Sequence, residues 1–130
     1  MKIIDGKNAV LGRLGAFVAK EALKGEEIVV LNCEQVIITG NRKNIEERWR
    51  EKREKIGSGQ TGPKHSRLSH LIVKRAIRGM LPRASLGRGR QAFKRIKCYS
   101  GIPKEFESAK KISLGEETKR KFIEVKEIAK

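Results

Sequence analysis

The sequence is poor in the residues that mark disulfide-rich, membrane-spanning and aromatic-rich proteins. Of its 130 residues, two are cysteine, three are proline and 5% are aromatic, so its core is expected to be mainly aliphatic. The distant pair Cys33 and Cys98 predicts reduced thiols in a cytoplasmic protein and no disulfide framework. No apolar run approaches the ~20 residues needed to cross a bilayer. The polar opening residues predict no signal peptide.

Acidic residues are missing from one long stretch of a chain whose formal net charge is +16. Residues 1–41 carry five basic and five acidic side chains, residues 42–97 carry 18 and four, and residues 98–130 carry eight and six. Between Gly57 and Lys97 there are eleven basic residues, seven of them arginine, and no Asp or Glu. A merely solvated surface normally mixes both signs, and arginine can bind phosphate through two N–H groups at once. This distribution predicts a nucleic-acid ligand, with an acidic protein or an anionic membrane surface as the alternative.

The residue patterns that enzymes and metal sites require are also missing. The segment Gly57–Lys64 is glycine-rich, but Pro63 stands where a phosphate-binding P-loop needs lysine. His65 and His70 have no Cys, Asp or Glu nearby in sequence and predict no metal site. Cys33 has no neighbouring histidine and is interpreted as a buried thiol. We therefore expect no catalytic residue, metal, cofactor or small-molecule substrate, and the rival hypothesis is an RNA-modifying or RNA-cleaving enzyme.

The hydrophobic pattern predicts an α/β fold. Lys2–Asp5 is a short strand candidate, apolar residues from Val10 to Ala22 recur at helical spacing, and Glu27–Asn32 is typical of a strand buried on both faces. Strand, helix and strand in this order predict a βαβ unit with a parallel sheet. Further strand candidates are Val36–Thr39 and Ile96–Tyr99.

Two of the predicted helices carry features that allow two interpretations. One face of the first helix holds only small residues, which permit close approach of protein or of an RNA backbone, and we favour packing within the protein. These residues are Gly12, Gly15, Ala16 and Ala19. The charged helix Asn44–Lys55 is predicted to use the pairs Glu46 with Arg50 and Glu51 with Lys55. Its Trp49 could stack on a base, although we favour a role in anchoring this helix.

The segment from Leu68 to Met80 predicts a helix with one apolar and one basic face. The apolar face contains Leu68, Ile72, Val73, Ala76 and Met80, and the basic face contains Arg67, Lys74 and Arg78. After Pro82, Leu86–Ile96 forms a second basic segment, in which the glycines of Gly87–Arg90 are expected to let the backbone approach a ligand closely. Beyond Pro103 the pattern is weak, with a helix predicted over Glu116–Ile128.

Several motifs in fixed order carry a resemblance to a known family. They are Ile4–Leu14, Val29–Glu34 continuing to Ile38–Asn41, Gly62–His65, Ile77–Pro82 with its Arg-Gly-Met-Leu-Pro run, and Lys97–Pro103. Together they resemble the L-thirteen family of large-subunit ribosomal proteins, in its archaeal and eukaryotic form. The resemblance covers about residues 3–103 and leaves the tail after Pro103 unmatched.

The resemblance implies a three-layer α/β/α domain on a four-stranded, mostly parallel sheet, with a basic helical and loop extension that enters ribosomal RNA. Residues 1–103 are expected to form one α/β domain that includes an RNA-binding segment, 42–97, and residues 104–130 a C-terminal tail.

The function implied is that of a non-catalytic constituent of the large subunit, which binds and stabilises folded ribosomal RNA during and after assembly beside neighbouring ribosomal proteins. Few aromatics favour recognition by shape and 2′-hydroxyl contacts over base stacking, and a chromosomal DNA-binding protein is a third hypothesis. The expected RNA-binding residues are Arg13, Lys64, His65, Arg67, Lys74, Arg75, Arg78, Arg83, Arg88, Arg90, Lys94 and Arg95.

Overall fold

A parallel βαβ unit opens the chain, as its sequence predicts. The computed structural model describes residues 1–55, 57, 62, 64–83 and 86–129, so most of the predicted loop between Gly57 and Pro63 lies outside the described residues. Strand β1 (Lys2–Asp5) leads into helix α1 (Leu11–Leu23) and strand β2 (Ile28–Leu31). The two strands are parallel, and all four residues of β2 are buried, as expected for a central strand.

The main sheet has four strands in the order β4-β2-β1-β5. Strand β4 (Ile96–Cys98) pairs with β2, and the two-residue strand β5 (Ile112–Ser113) pairs with β1. Every pairing is parallel, and helices flank the sheet. This architecture confirms the predicted α/β class and agrees with a three-layer α/β/α domain.

The end of the chain differs from its predicted structure. Strand β3 (Ile37–Thr39) stands outside the main sheet and pairs antiparallel with β6 (Phe122–Glu124). The helix predicted over Glu116–Ile128 is therefore wrong at β6, and only α5 (Val125–Ile128) is helical. Pairing with β3 satisfies the β6 backbone while Ile123, between two more exposed neighbours, enters the core at 1% exposure. A short strand that depends on a distant partner leaves little local signal.

Three further helices surround this framework. Helix α2 (Arg42–Glu54) begins after Asn41, whose side chain accepts a hydrogen bond from the Lys43 backbone N–H at 3.1 Å. Helix α3 (Ser69–Met80) and helix α4 (Gly87–Lys94) both pack against α1. The largest fully buried side chains are all isoleucine, leucine or valine, which confirms the predicted aliphatic core.

Close packing of α1 and α3 explains part of the small-residue face of α1. A Cβ placed on Gly15 would lie 2.7 Å from the Met80 sulfur, and Ala19 is also buried. Gly12 and Ala16 are exposed. The face of α1 thus serves protein packing at Gly15, which lies against the Met80 side chain of α3, and at Ala19, which is buried.

Helix α3 has the two-faced character predicted for it, with a shift in the apolar face. Ile72, Val73 and Ile77 are buried, whereas Leu68 is 55% exposed. The prediction that Leu68 packs inward is wrong, because it stands at the N-cap, before the first helical turn places side chains on the core.

Candidate RNA interface

The basic side chains of the middle segment are displayed on α3, on α4 and on the chain around them. Lys74 and Arg75 are half-buried on α3, where the burial of Ile72, Val73 and Ile77 turns them outward. His65 and Arg95 are also half-buried. Seven further predicted contacts in this region are exposed: Lys64, Arg67, Arg78, Arg83, Arg88, Arg90 and Lys94. Most of the expected set therefore lies on the surface.

These cations have no carboxylate partners in the described part of the chain. The basic residue of every salt bridge there is the N-terminal amine, Lys2, Arg13, Lys24, Arg42 or Lys126. None belongs to the acid-free stretch from Gly57 to Lys97. Their positive potential is consequently left for an external anion.

Arg13 differs from the other predicted contacts because it has an acidic neighbour. Its Nη1 lies 3.5 Å from Oε2 of Glu116, in the C-terminal segment, and both side chains are more than three-quarters exposed. Such an exposed pair contributes little to stability. It still lowers the positive potential that Arg13 can offer to phosphate.

Two arginines of the predicted set bind the protein itself. Nη1 of Arg95 donates to the Ala22 carbonyl at 3.3 Å, in the last turn of α1. Nη1 of Arg75 donates to the Lys64 carbonyl at 2.8 Å, which ties the chain before α3 to that helix. Arg95 thus acts in part as a structural link between the α4–β4 junction and α1, where a cation also complements the helix dipole.

A cleft lies between α3, the segment before it and Phe93 of α4. Its volume is about 200 Å³, and it is lined by Lys64, Ser66, Leu71, Lys74, Arg75, Arg78 and Phe93. Nζ of Lys74 lies 5.1 Å from the centre of the Phe93 ring, within the range of a cation–π interaction. This "α3–α4 cleft" brings four cations together, and no acidic residue stands among the described residues that line it.

A second pocket lies between α2 and α5 and contains basic residues that the sequence interpretation missed. Its volume is about 440 Å³, and its lining includes Trp49, Arg50, Arg53 and Arg67 together with Glu46, Glu54, Glu127 and Ile128. Arg53 donates to the Ile128 carbonyl at 2.5 Å, and burial, with Arg67 nearby, lowers its pKa. The excess positive charge of residues 42–97 was the signal that could have added the arginines of α2 to the predicted RNA-binding residues. The pocket itself contains acidic side chains and has a mixed character.

Trp49 and His65 support each other inside the protein. Trp49 is half-buried against the hydrophobic core, and the His65 ring meets it edge-on at a centroid distance of 6.0 Å. The structure therefore favours the anchoring role of Trp49. Burial lowers the pKa of His65, and the cations Arg75, Lys52 and Arg53 add to this effect, so its ring is neutral at pH 7. A half-buried neutral imidazole supplies no charge for phosphate.

The salt bridges of α2 differ from the i,i+4 pairs that its sequence predicts. Glu46 accepts from Nε of Arg42 at 3.0 Å, and neither Glu46 with Arg50 nor Glu51 with Lys55 is a salt bridge in the described chain. Arg42 also lies 3.7 Å from Glu127 of α5, so one arginine links the two helices.

One of the two glycines of Gly87–Arg90 has a different role from the one expected. A Cβ on Gly89 would lie 2.0 Å from the Pro82 carbonyl oxygen, so Gly89 is required for close contact within the protein. Gly89 is buried, and the expectation that it lets RNA approach is wrong. Arg88 and Arg90, on either side, remain exposed.

The described residues provide no constellation for catalysis or metal binding. They contain no group of three or more His, Cys, Asp or Glu side chains placed to hold a metal. Cys33 and Cys98 are free and buried, and a hydrogen bond with Cys98, together with burial, raises the pKa of Cys33 far above its ordinary value. Such a thiol is a poor nucleophile. Among these residues, no helix has the length and apolar character of a membrane span.

The fold and this surface define a class: an α/β protein with an arginine-rich face whose cations have no acidic partner in the described part of the chain. Residues 1–105 match the family model described as Ribosomal protein L13. The chain therefore belongs to the L13 family of ribosomal proteins, which confirms the resemblance of its motifs. Members of this family are structural constituents of the ribosome and not enzymes.

Archaeal proteins are among its curated relatives, each named "Large ribosomal subunit protein uL13". The protein of Methanopyrus kandleri is 49% identical over 107 residues, a match that covers 82% of this chain and 66% of that protein. The protein of Methanocaldococcus jannaschii is 44% identical over 133 residues, covering 100% and 96%. That of Methanosarcina barkeri is 39% identical over 135 residues, covering 99% and 95%. The archaeal character expected from the motifs is thereby confirmed.

Proposed function

We propose that this chain binds folded RNA of the large ribosomal subunit through residues 42–97 and stabilises it during and after assembly. The observation that carries the proposal is the set of eleven cations between Gly57 and Lys97 without an acidic residue and without a salt bridge in the described structure. A solvated surface normally mixes charges of both signs, so we assign the missing negative charge to RNA phosphates.

The contacts are assigned to the exposed part of the predicted set. Helices α3 and α4 display Arg78, Arg88, Arg90 and Lys94, and Arg83 lies between the two helices. Arginine side chains on several surfaces suit a point where RNA helices converge, because each guanidinium group can donate two hydrogen bonds to the phosphates of a different strand. Double-stranded RNA is recognised largely through its shape, its phosphates and its 2′-hydroxyls.

The supporting experiment is a salt titration of binding to a large-subunit RNA transcript. If the chain makes about 6–10 phosphate contacts, raising the salt from about 50 to 200 mM should lower its affinity by about 10³–10⁵. Duplex DNA of equal length is the control ligand and should bind less tightly. A flat salt profile would contradict the proposal, a preference for duplex DNA would favour a chromosomal protein, and turnover of the RNA would favour an enzyme.

The cellular prediction concerns partners and location. In a sedimented cell extract, this chain should travel with cytoplasmic large ribosomal subunits, beside neighbouring ribosomal proteins, and should leave them only at high salt, since phosphate contacts are screened there. Recovery of the chain in the ribosome-free fractions at low salt would contradict the proposed partners.

A further inference from the structure

The α3–α4 cleft is lined by both basic and apolar side chains, a combination that packing of the protein core does not explain. Lys64, Lys74, Arg75 and Arg78 contribute the cations. Leu71 and the Phe93 ring contribute apolar surface. Among the described residues, no carboxylate lines the cleft, so their side chains give it a positive potential.

Leu71 is the most informative residue of this lining. The buried face of α3 is formed by Ile72, Val73 and Ile77, and Leu71 beside it is 40% exposed. Leu71 does not stand alone, because the Phe93 ring lines the same cleft and four basic side chains line it with them. The ligand that suits Leu71 must carry an apolar face and negative charge together.

The size of the cleft limits that ligand further. About 200 Å³ corresponds to the space of roughly seven water molecules and is below the ~300–1,000 Å³ of ordinary cofactor and drug-sized sites. One planar base is a better match than a complete dinucleotide cofactor.

A continuous RNA duplex has no apolar face for this cleft, because its base faces are stacked inside and its surface presents phosphates, 2′-hydroxyls and polar base edges. An unstacked nucleotide presents a base face and phosphates at once. We infer that the α3–α4 cleft receives one unstacked nucleotide of the bound RNA, with its base against Leu71 and Phe93. Its flanking phosphates lie on Lys64, Arg75 and Arg78. This inference rests on the proposed RNA-binding function.

Contacts within the protein hold the cleft in shape before RNA binds. The hydrogen bond from Arg75 to the Lys64 carbonyl, at 2.8 Å, keeps the segment before α3 against the helix. Lys74 is held near the Phe93 ring. Arg75 and Arg78 are three residues apart and therefore project from neighbouring positions on the helix surface. A preformed site loses less conformational entropy on binding.

The test compares two RNA hairpins with equal numbers of phosphates, one fully paired and one with a single bulged 2-aminopurine. The whole chain should bind the bulged hairpin about tenfold more tightly, the scale of one base contact. The 2-aminopurine fluorescence should change as the base leaves water. In Leu71→Ser this preference and the fluorescence change should disappear, while affinity for the paired hairpin stays within about twofold.

Leu86→Ser is the matched control, since Leu86 is 62% exposed and lies outside the cleft lining; it should keep the preference. Phe93→Leu, checked for an unchanged thermal transition, should weaken the preference as well. Inorganic phosphate at concentrations that match the phosphates of the RNA should not abolish the fluorescence change.

Equal binding of both hairpins by the parent chain would overturn the nucleotide site and leave the RNA-binding function standing. Loss of the preference in Leu86→Ser as well as in Leu71→Ser would also overturn the site, because the effect would not be specific to the cleft. If the chain bound neither hairpin and did not bind the large-subunit transcript, both the proposed function and the nucleotide site would be overturned.

Discussion

Residues 1–41 and the basic stretch of residues 57–97, which has no Asp or Glu, differ in whether their charged side chains have partners of opposite sign. In the first region, Glu21 is 7% exposed and accepts hydrogen bonds from Lys2 and from Lys24, the second at 2.9 Å. In the second, exposed cations such as Arg78 and Arg88 have no acidic partner in the described chain. A charge that is paired inside the molecule serves the fold, and a charge that is left unpaired on a rigid helix serves a ligand. The comparison predicts that substitutions in the first region reduce stability and that those in the second reduce binding.

The largest effect on stability is expected from Leu14→Ala in the first region. Leu14 is fully buried, and truncation of such a side chain costs about 2–5 kcal/mol, because apolar burial is lost and a cavity remains. Chemical denaturation measures the change in the free energy of unfolding. The control is Leu23→Ala, at a 39% exposed position of the same helix. Equal losses of unfolding free energy in the two variants would contradict the role of Leu14 in the core.

The next largest effect concerns Gly89, which lies in the basic region but serves the fold. Gly89→Ala places a methyl group 2.0 Å from the Pro82 carbonyl oxygen, so α4 must shift, at a cost of about 1–3 kcal/mol. Gly79→Ala is the control, because a Cβ there meets nothing within 4 Å and removes a flexible residue from α3; it should gain about 0.5–1 kcal/mol. Thermal unfolding of both variants checks the pair, and an unaffected Gly89→Ala would contradict this role.

The double variant Arg78→Ala with Arg88→Ala tests the basic region directly. Removal of two phosphate contacts should reduce the magnitude of the slope of log affinity against log salt by about 2. The thermal transition should stay nearly unchanged, since both residues are exposed. Filter binding over a salt series measures the slope. Lys7→Ala with Lys20→Ala removes the same charge from exposed positions of the first region and should leave the slope near that of the parent.

The smallest effect is a pH dependence in the first region. Hydrogen bonds from Lys2 and Lys24 lower the pKa of Glu21 to about 2, from an ordinary value of 4.5. A lowered pKa means that the ion-pair contribution is fully present above about pH 4.5 and is lost as the pH falls toward 2. Glu21→Gln should therefore melt a few degrees below the parent at pH 7, with a difference that shrinks below pH 4.5. Glu27→Gln, at an exposed position, should melt like the parent at both pH values.

Local patterns predicted the elements that are long or strongly periodic. β1, α1, β2 and α3 lie where the hydrophobic spacing places them, because each buries a continuous apolar face against the rest of the chain. β5 and β6 escaped prediction, since Ile112–Ser113 and Phe122–Glu124 become strands only when β1 and β3 supply their backbone partners. The same limit explains Gly89, whose neighbour Pro82 is reached only through the packing of α4.

The sequence alone determined that the chain is an α/β protein of the L13 family and that its excess positive charge is concentrated in the middle segment. These properties depend on residue order and composition, which folding does not alter. Only the tertiary structure decided which cations meet. Lys64, Lys74, Arg75 and Arg78 line one cleft with Leu71 and Phe93 because α3 and α4 both pack against α1. Arg95 donates a hydrogen bond to α1. Proximity between distant residues is set by helix packing, a non-local property of the folded chain.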